Sequence, residues 1–213
     1  MKNRPLYWVI GLTLVLFFGL LWLAPNNHGD IKQTQLPWNA SYDEQGRLNA
    51  LGLVLNYSTL KEVTELYGRD IEVKLFEMQD GSKSAEAYLG STYIGTIHGA
   101  LVIKLALSEQ DLEAFYERGA RTTISKQGAR QIQLNNEDTL ALFDYPIKEV
   151  TLVPRRNLTR DAIIKRFGEA AEIQKMEDGL ERWLYPQKGL ELVLLEGSND
   201  ILRYRANPIQ MTD

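Results

Sequence analysis

Thr159-Arg-Asp-Ala-Ile-Ile-Lys-Arg-Phe-Gly168 reads as one short helix. Thr159 has the residue type of an N-cap, Ile163, Ile164 and Phe167 share one face, and Gly168 supplies the stop. A hundred positions earlier, Thr59-Leu-Lys-Glu-Val-Thr-Glu-Leu-Tyr-Gly68 has the same layout. Cap aligns with cap, Val63 with Ile163, Tyr67 with Phe167 and glycine with glycine. An apolar strand precedes each helix (Leu51–Leu55, Val150–Val153) and another follows (Ile71–Leu75, Ala171–Ile173). Self-similarity of this kind decides architecture, and two copies are too few for a solenoid.

Outward from these helices, the chain alternates in period two, the sign of half-buried strands. Ile71, Val73 and Leu75 interleave with Glu72 and Lys74, and Gln79-Asp-Gly-Ser82 turns the chain. A β-rich stretch runs from Glu86 to Leu107. Ser108–Arg118 has a serine cap and a glycine stop, Ile132 and Leu134 mark a short strand, and residues 136–143 a helical turn. Strands follow at 149–153, 171–175, 181–185, 190–195 and 201–205. The fold class expected is α+β: a single N-terminal transmembrane helix, then two helix-on-antiparallel-meander repeats over 48–145 and 146–213.

The transmembrane expectation rests on Leu6–Ala24, nineteen residues without a charge. A helix of about 20 apolar residues matches a hydrocarbon core of about 30 Å. Leu6, Trp8, Phe17, Phe18, Trp22 and Leu23 would be membrane-embedded. Lys2 and Arg4 precede the run, so the N-terminus is expected in the cytoplasm and the bulk of the chain in the periplasm. Residues 1–24 are read as cytoplasmic stub and signal-anchor, and 25–47, polar and without period, as a linker. The localisation expected is a bacterial inner membrane, with the membrane itself as one partner.

Composition excludes more than it assigns. The chain has 24 basic and 28 acidic residues, a formal charge of −4. That balance argues against nucleic acid as a partner. The absence of cysteine removes thiol catalysis, thiolate metal sites and disulfides. The two histidines, His28 and His98, are too few and too separated for a zinc site. Ser91 lies near His98 in sequence, but no nucleophile-elbow pattern surrounds a serine. The carboxylate pairs Asp43-Glu44, Glu137-Asp138 and Glu177-Asp178 fall in turns, where solvent keeps them ordinary acids. No catalytic residue, metal or cofactor is expected.

Binding candidates come from the second unit. Arg155, Arg156, Arg203 and Arg205 give it basic character, and Tyr185 follows Trp183 on one strand face. Arginine and aromatic residues are the types enriched in interface anchors.

The run Asn157-Leu-Thr159, Phe167-Gly168, Gly179, Trp183-Leu-Tyr185, Gly189-Leu-Glu-Leu-Val-Leu-Leu195 and Ile201-Leu-Arg-Tyr204 resembles the BamE-like (SmpA/OmlA) small envelope lipoproteins. The same layout occurs in the tandem-repeat β-lactamase inhibitor proteins. The likeness covers residues 150–206 well and 53–107 loosely, where Glu86-Ala-Tyr88 stands for Trp-x-Tyr. This chain departs in lacking the lipid-bearing cysteine. The resemblance implies a non-catalytic protein-binding or scaffolding module whose partner is another envelope protein. The alternatives are an envelope hydrolase using carboxylates and a lipid- or glycan-binding module.

Overall fold

A computed structural model describes residues 33–119, 121–124, 128–176, 179–195 and 197–206. The described residues, all within the segment from position 32 on, belong to one compact unit. It is mostly β. A small sheet holds β1 (Ser41–Tyr42), β2 (Leu48–Ala50) and β3 (Leu53–Val54). Ten further strands make one continuous antiparallel sheet: β4 (Ile71–Glu77), β5 (Lys83–Ile94), β6 (Ile97–Leu105), β7 (Arg121–Ile124), β8 (Arg130–Gln133), β9 (Ile147–Pro154), β10 (Glu172–Lys175), β11 (Glu181–Tyr185), β12 (Leu190–Leu194) and β13 (Ile201–Arg205). Their spatial order is β10-β11-β12-β13-β9-β6-β5-β4-β8-β7.

Four described helices accompany the sheet: α1 (Leu60–Tyr67), α2 (Glu109–Glu117), α3 (Asn136–Leu142) and α4 (Arg160–Phe167). Each begins where a side chain satisfies an orphan amide. Ser108 Oγ accepts from Asp111 N at 3.0 Å, Asn135 Oδ1 from Asp138 N at 2.7 Å and Thr159 Oγ1 from Ala162 N at 3.2 Å. At α1 the Glu62 carboxylate reaches back to the Thr59 amide at 3.2 Å, completing a capping box. Gly68 and Gly168 end α1 and α4 at φ 115° and 84°, a region closed to most side chains.

The fold corrects the expected class. Two separate α+β units were expected; the chain is mostly β, and one sheet runs through both halves. The junction is β9, which pairs β6 on one side and β13 on the other. Outward from the β9–β13 pair, each side is an antiparallel meander whose outer strand follows a helix: β6-β5-β4 after α1, and β12-β11-β10 after α4. The segment α2-β7-β8-α3 is inserted between β6 and β9 and extends the sheet past β4.

The transmembrane expectation is corrected as well. No helix among the described residues is long and apolar enough to cross a membrane. Those helices have seven to nine residues, at most about 14 Å of rise against about 30 Å of hydrocarbon. The segment Leu6–Ala24, with Leu6, Trp8, Phe17, Phe18, Trp22 and Leu23, lies outside the described residues. The signal-anchor, the membrane as a partner and the inner-membrane location are therefore not retained.

The stretch read as a linker also enters the fold. Gln33–Gln35 and Pro37–Asn39 form short 3-10 turns. Tyr204 O–H donates to Pro37 O at 2.8 Å, Lys188 Nζ donates to Trp38 O at 2.8 Å, and the Trp38 ring meets Phe167 edge-on at 6.1 Å.

The main core cluster lies on one face of the large sheet, while Leu184 and Val193 are buried on the other. Cross-strand register lines up Ile71, Leu89, Leu101, Leu152, Leu202, Leu192 and Trp183 in one row, and Val73, Ala87, Ile103, Val150, Tyr204, Leu190 and Tyr185 in the next. All are buried except Ile71, which packs against the cluster partly exposed. Leu60 and Val63 of α1, Leu112 and Phe115 of α2, Leu142 of α3, and Ile163 and Phe167 of α4 close over this face.

Candidate functional site

A strand exposes alternate residues to opposite faces, so the face turned away from the helices is fixed by the core register. Its middle row is Lys74, Glu86, Lys104, Glu149 and Arg205, each directly opposite the next on adjacent strands. The charges alternate in sign across five strands, the favourable arrangement for cross-strand pairs. The adjoining row is Glu72, Tyr88, Val102, Thr151, Arg203, Glu191 and Leu184.

At the centre, three arginines meet two carboxylates. Arg182 Nε donates to Glu191 Oε1 at 2.8 Å, and Arg205 Nε donates to Glu149 Oε2 at 2.8 Å. Arg203 lies between them, its Nη1 3.5 Å from Glu191 Oε2 and its Nε 3.7 Å from Glu149 Oε1. Glu191 is only 4% exposed, a burial a carboxylate tolerates when cations surround it. The Arg203 Nε is buried without a hydrogen bond. Depressions flank the ladder. One of about 520 Å³ includes Lys74, Phe76, Glu86, Tyr88 and Val102; another of about 570 Å³ lies beside Glu149, Arg205, Lys148 and Asn56. Tyr88 is 49% exposed and Tyr93, farther along β5, 68%.

The predicted binding residues divide three ways. Arg203 and Arg205 stand together on this face. Arg155 and Arg156 lie past the end of β9, lining a separate depression of about 400 Å³ with Tyr93 and His98. Tyr185 is no surface anchor. It is fully buried on the helix side, its O–H donates to Gly168 O at 3.2 Å, and burial pushes its phenol up to about 12. The sequence did not single out Glu149, Glu191, Lys104 or Tyr88. The signal lay in the polar half of each alternating strand, which acquires meaning only once register sets the strands side by side.

His98 and Ser91 do meet: Ser91 Oγ lies 2.9 Å from His98 Nε2, and the imidazole stacks on Tyr93 with ring centres 4.5 Å apart. Among the described residues no carboxylate bonds the other ring nitrogen, so the third member of a triad is not in place. Asp43 is held by Arg47, whose backbone amide and guanidinium bond it at 2.9 and 2.7 Å and lower its pKa. Asp138 takes Arg118 through Nη2 at 2.8 Å and Nε at 3.0 Å, and this bonding holds its carboxyl below the usual range. Both are structural acids. Glu177 and Asp178 lie outside the described residues. No group of three metal-ligating side chains occurs among the described residues.

No family model, curated protein or solved structure matches this chain.

Proposed function

We propose that this chain is a non-catalytic protein-binding module that engages its partner through the face of the ten-stranded sheet opposite the four described helices. The observation that carries the reading is the division of the sheet. All four described helices close over one face, while the other presents the Lys74–Arg205 charge ladder with exposed Tyr88 beside it. Alternating fixed charges confer specificity and register more than raw affinity, and tyrosine supplies contact area at low entropic cost. The resemblance of residues 150–206 to BamE-like modules leans the same way.

The test is site-specific photo-crosslinking in cells from Tyr88 and Val102 on the ladder face and from Lys61 and Glu113 on the helix side. The expected result is a single discrete adduct from the first two positions and none from the others. Adducts from the helix side alone, or none from the ladder face, would overturn the reading.

A further inference from the structure

The corner formed by the β5–β6 hairpin end and the segment after β9 carries a positive charge that no ion pair among the described residues cancels. Arg155 and Arg156 are exposed and make no ion pair with the described residues, unlike Arg203 and Arg205. The depression they line also includes His98, Tyr93, Asn157 and Leu158, and no carboxylate among the described residues. Asp200, beneath the rim, is buried and accepts the Leu158 amide at 2.6 Å.

The corner is rigid where a ligand would need it to be. The Arg155 amide donates to His98 O at 2.9 Å, fixing β9 against β6. Asn157 Nδ2 donates to Ser198 O at 2.7 Å, and Asn157 Oδ1 accepts from Asp200 N at 3.3 Å, tying the rim to the loop before β13. Tyr93 and Ser91 hold the imidazole from two directions. In the tautomer in which Ser91 O–H donates to Nε2, the imidazole hydrogen is on Nδ1, which has no partner among the described residues.

We propose that this corner binds a phosphate group, with the Arg155 and Arg156 guanidiniums neutralising it and His98 Nδ1–H as a directional donor. Paired guanidiniums suit a tetrahedral dianion better than a single-charged planar acid. A volume of about 400 Å³ admits a phosphoryl group with a small substituent. The proposal does not depend on the protein-binding reading.

Calorimetric titration of the full chain with inorganic phosphate, phosphoserine and acetate tests it. Saturable binding of a phosphate-bearing ligand is expected, with acetate at least tenfold weaker. Equal affinity for inorganic phosphate and phosphoserine would mark a site for the free anion; tighter phosphoserine binding would mark one for a monoester. Arg155→Gln and Arg156→Gln should each weaken binding about tenfold, the equivalent of one charge-assisted hydrogen bond. His98→Ala should weaken it too, with circular dichroism unchanged in all three. No saturation by about 10 mM for either phosphate ligand, acetate binding as tightly, or full binding by the double arginine variant would overturn the proposal.

Discussion

The two faces of the ten-stranded sheet are built from the same strands and differ only in which alternate residue each receives. Between Val73 and Leu75 on the helix side lies Lys74 on the other; between Leu101 and Ile103 lies Val102, and between Val150 and Leu152 lies Thr151. The helix side is held by area removed from water, which scales with size and is indifferent to direction. The ladder side is held by directional pairs that water and salt weaken. The faces should therefore respond to mutation in opposite ways, one through stability and the other through recognition.

The largest effect belongs to the helix side. Trp183 is buried, donates its indole N–H to Glu181 at 3.1 Å and carries the Arg160 guanidinium over its ring at 5.5 Å. Trp183→Ala should cost about 3–5 kcal/mol in denaturant unfolding. A loss under about 1 kcal/mol would mean that the core is not organised around this row. Next comes the seam between the faces. A Cβ on Gly99 would lie 2.6 Å from the Val153 carbonyl, a backbone atom that moves only if β6 and β9 part. Gly99→Ala should cost about 1–3 kcal/mol, and an unchanged midpoint would contradict the β6–β9 register.

Local elements were largely legible, because caps, glycine stops and period-two alternation are written within a few residues. Thr159 to Gly168 is read as a helix and is one. The joining of the halves was not legible. Lys104 opposite Glu149, or Leu75 opposite Ile132, is a pairing across more than forty residues, and strand period says nothing about which distant edge a strand will meet. Tyr185 failed for a related reason: alternation groups it with Trp183 but does not say which face is up. The 25–47 stretch reads as linker because it is polar and without period, although one ring in it, Trp38, docked on Phe167 and capped by the Arg166 guanidinium at 4.4 Å, is enough to pin it.

A smaller effect separates two acids that look alike in sequence. The Arg118 bonds lower the Asp138 pKa, so its contribution to stability is present above the unfolded carboxylate value and is lost as pH falls through the folded one. Burial raises that of Asp200, so there stability falls as pH rises from the unfolded value towards the folded one. Asp138→Asn should lower the melting temperature at pH 7 and flatten the acid limb of the stability curve. Asp200→Asn, whose amide oxygen can still accept from Leu158 N, should leave the pH 7 melting temperature unchanged or raise it. The same sign for both would mean that these carboxyls do not sit in opposite environments.

The smallest stability effect carries the most information about the ladder. Lys104 faces Glu86 and Glu149, 3.7 Å from the first, and remains partly in solvent. Lys104→Glu puts three acids in a row. Exposed pairs contribute little to folding, so the unfolding free energy should move by no more than about 1 kcal/mol. Recognition reads the pattern of signs rather than its sum, and inverting one position replaces attraction by like-charge repulsion at the centre of the face. The crosslinked adduct from Tyr88 should therefore disappear in a protein that melts almost normally. If the adduct persists at the wild-type yield, the ladder is an inert solvated surface and the contact lies elsewhere. If the protein unfolds instead, the two faces are not energetically separate, and the division between a face that folds and a face that recognises has to be given up.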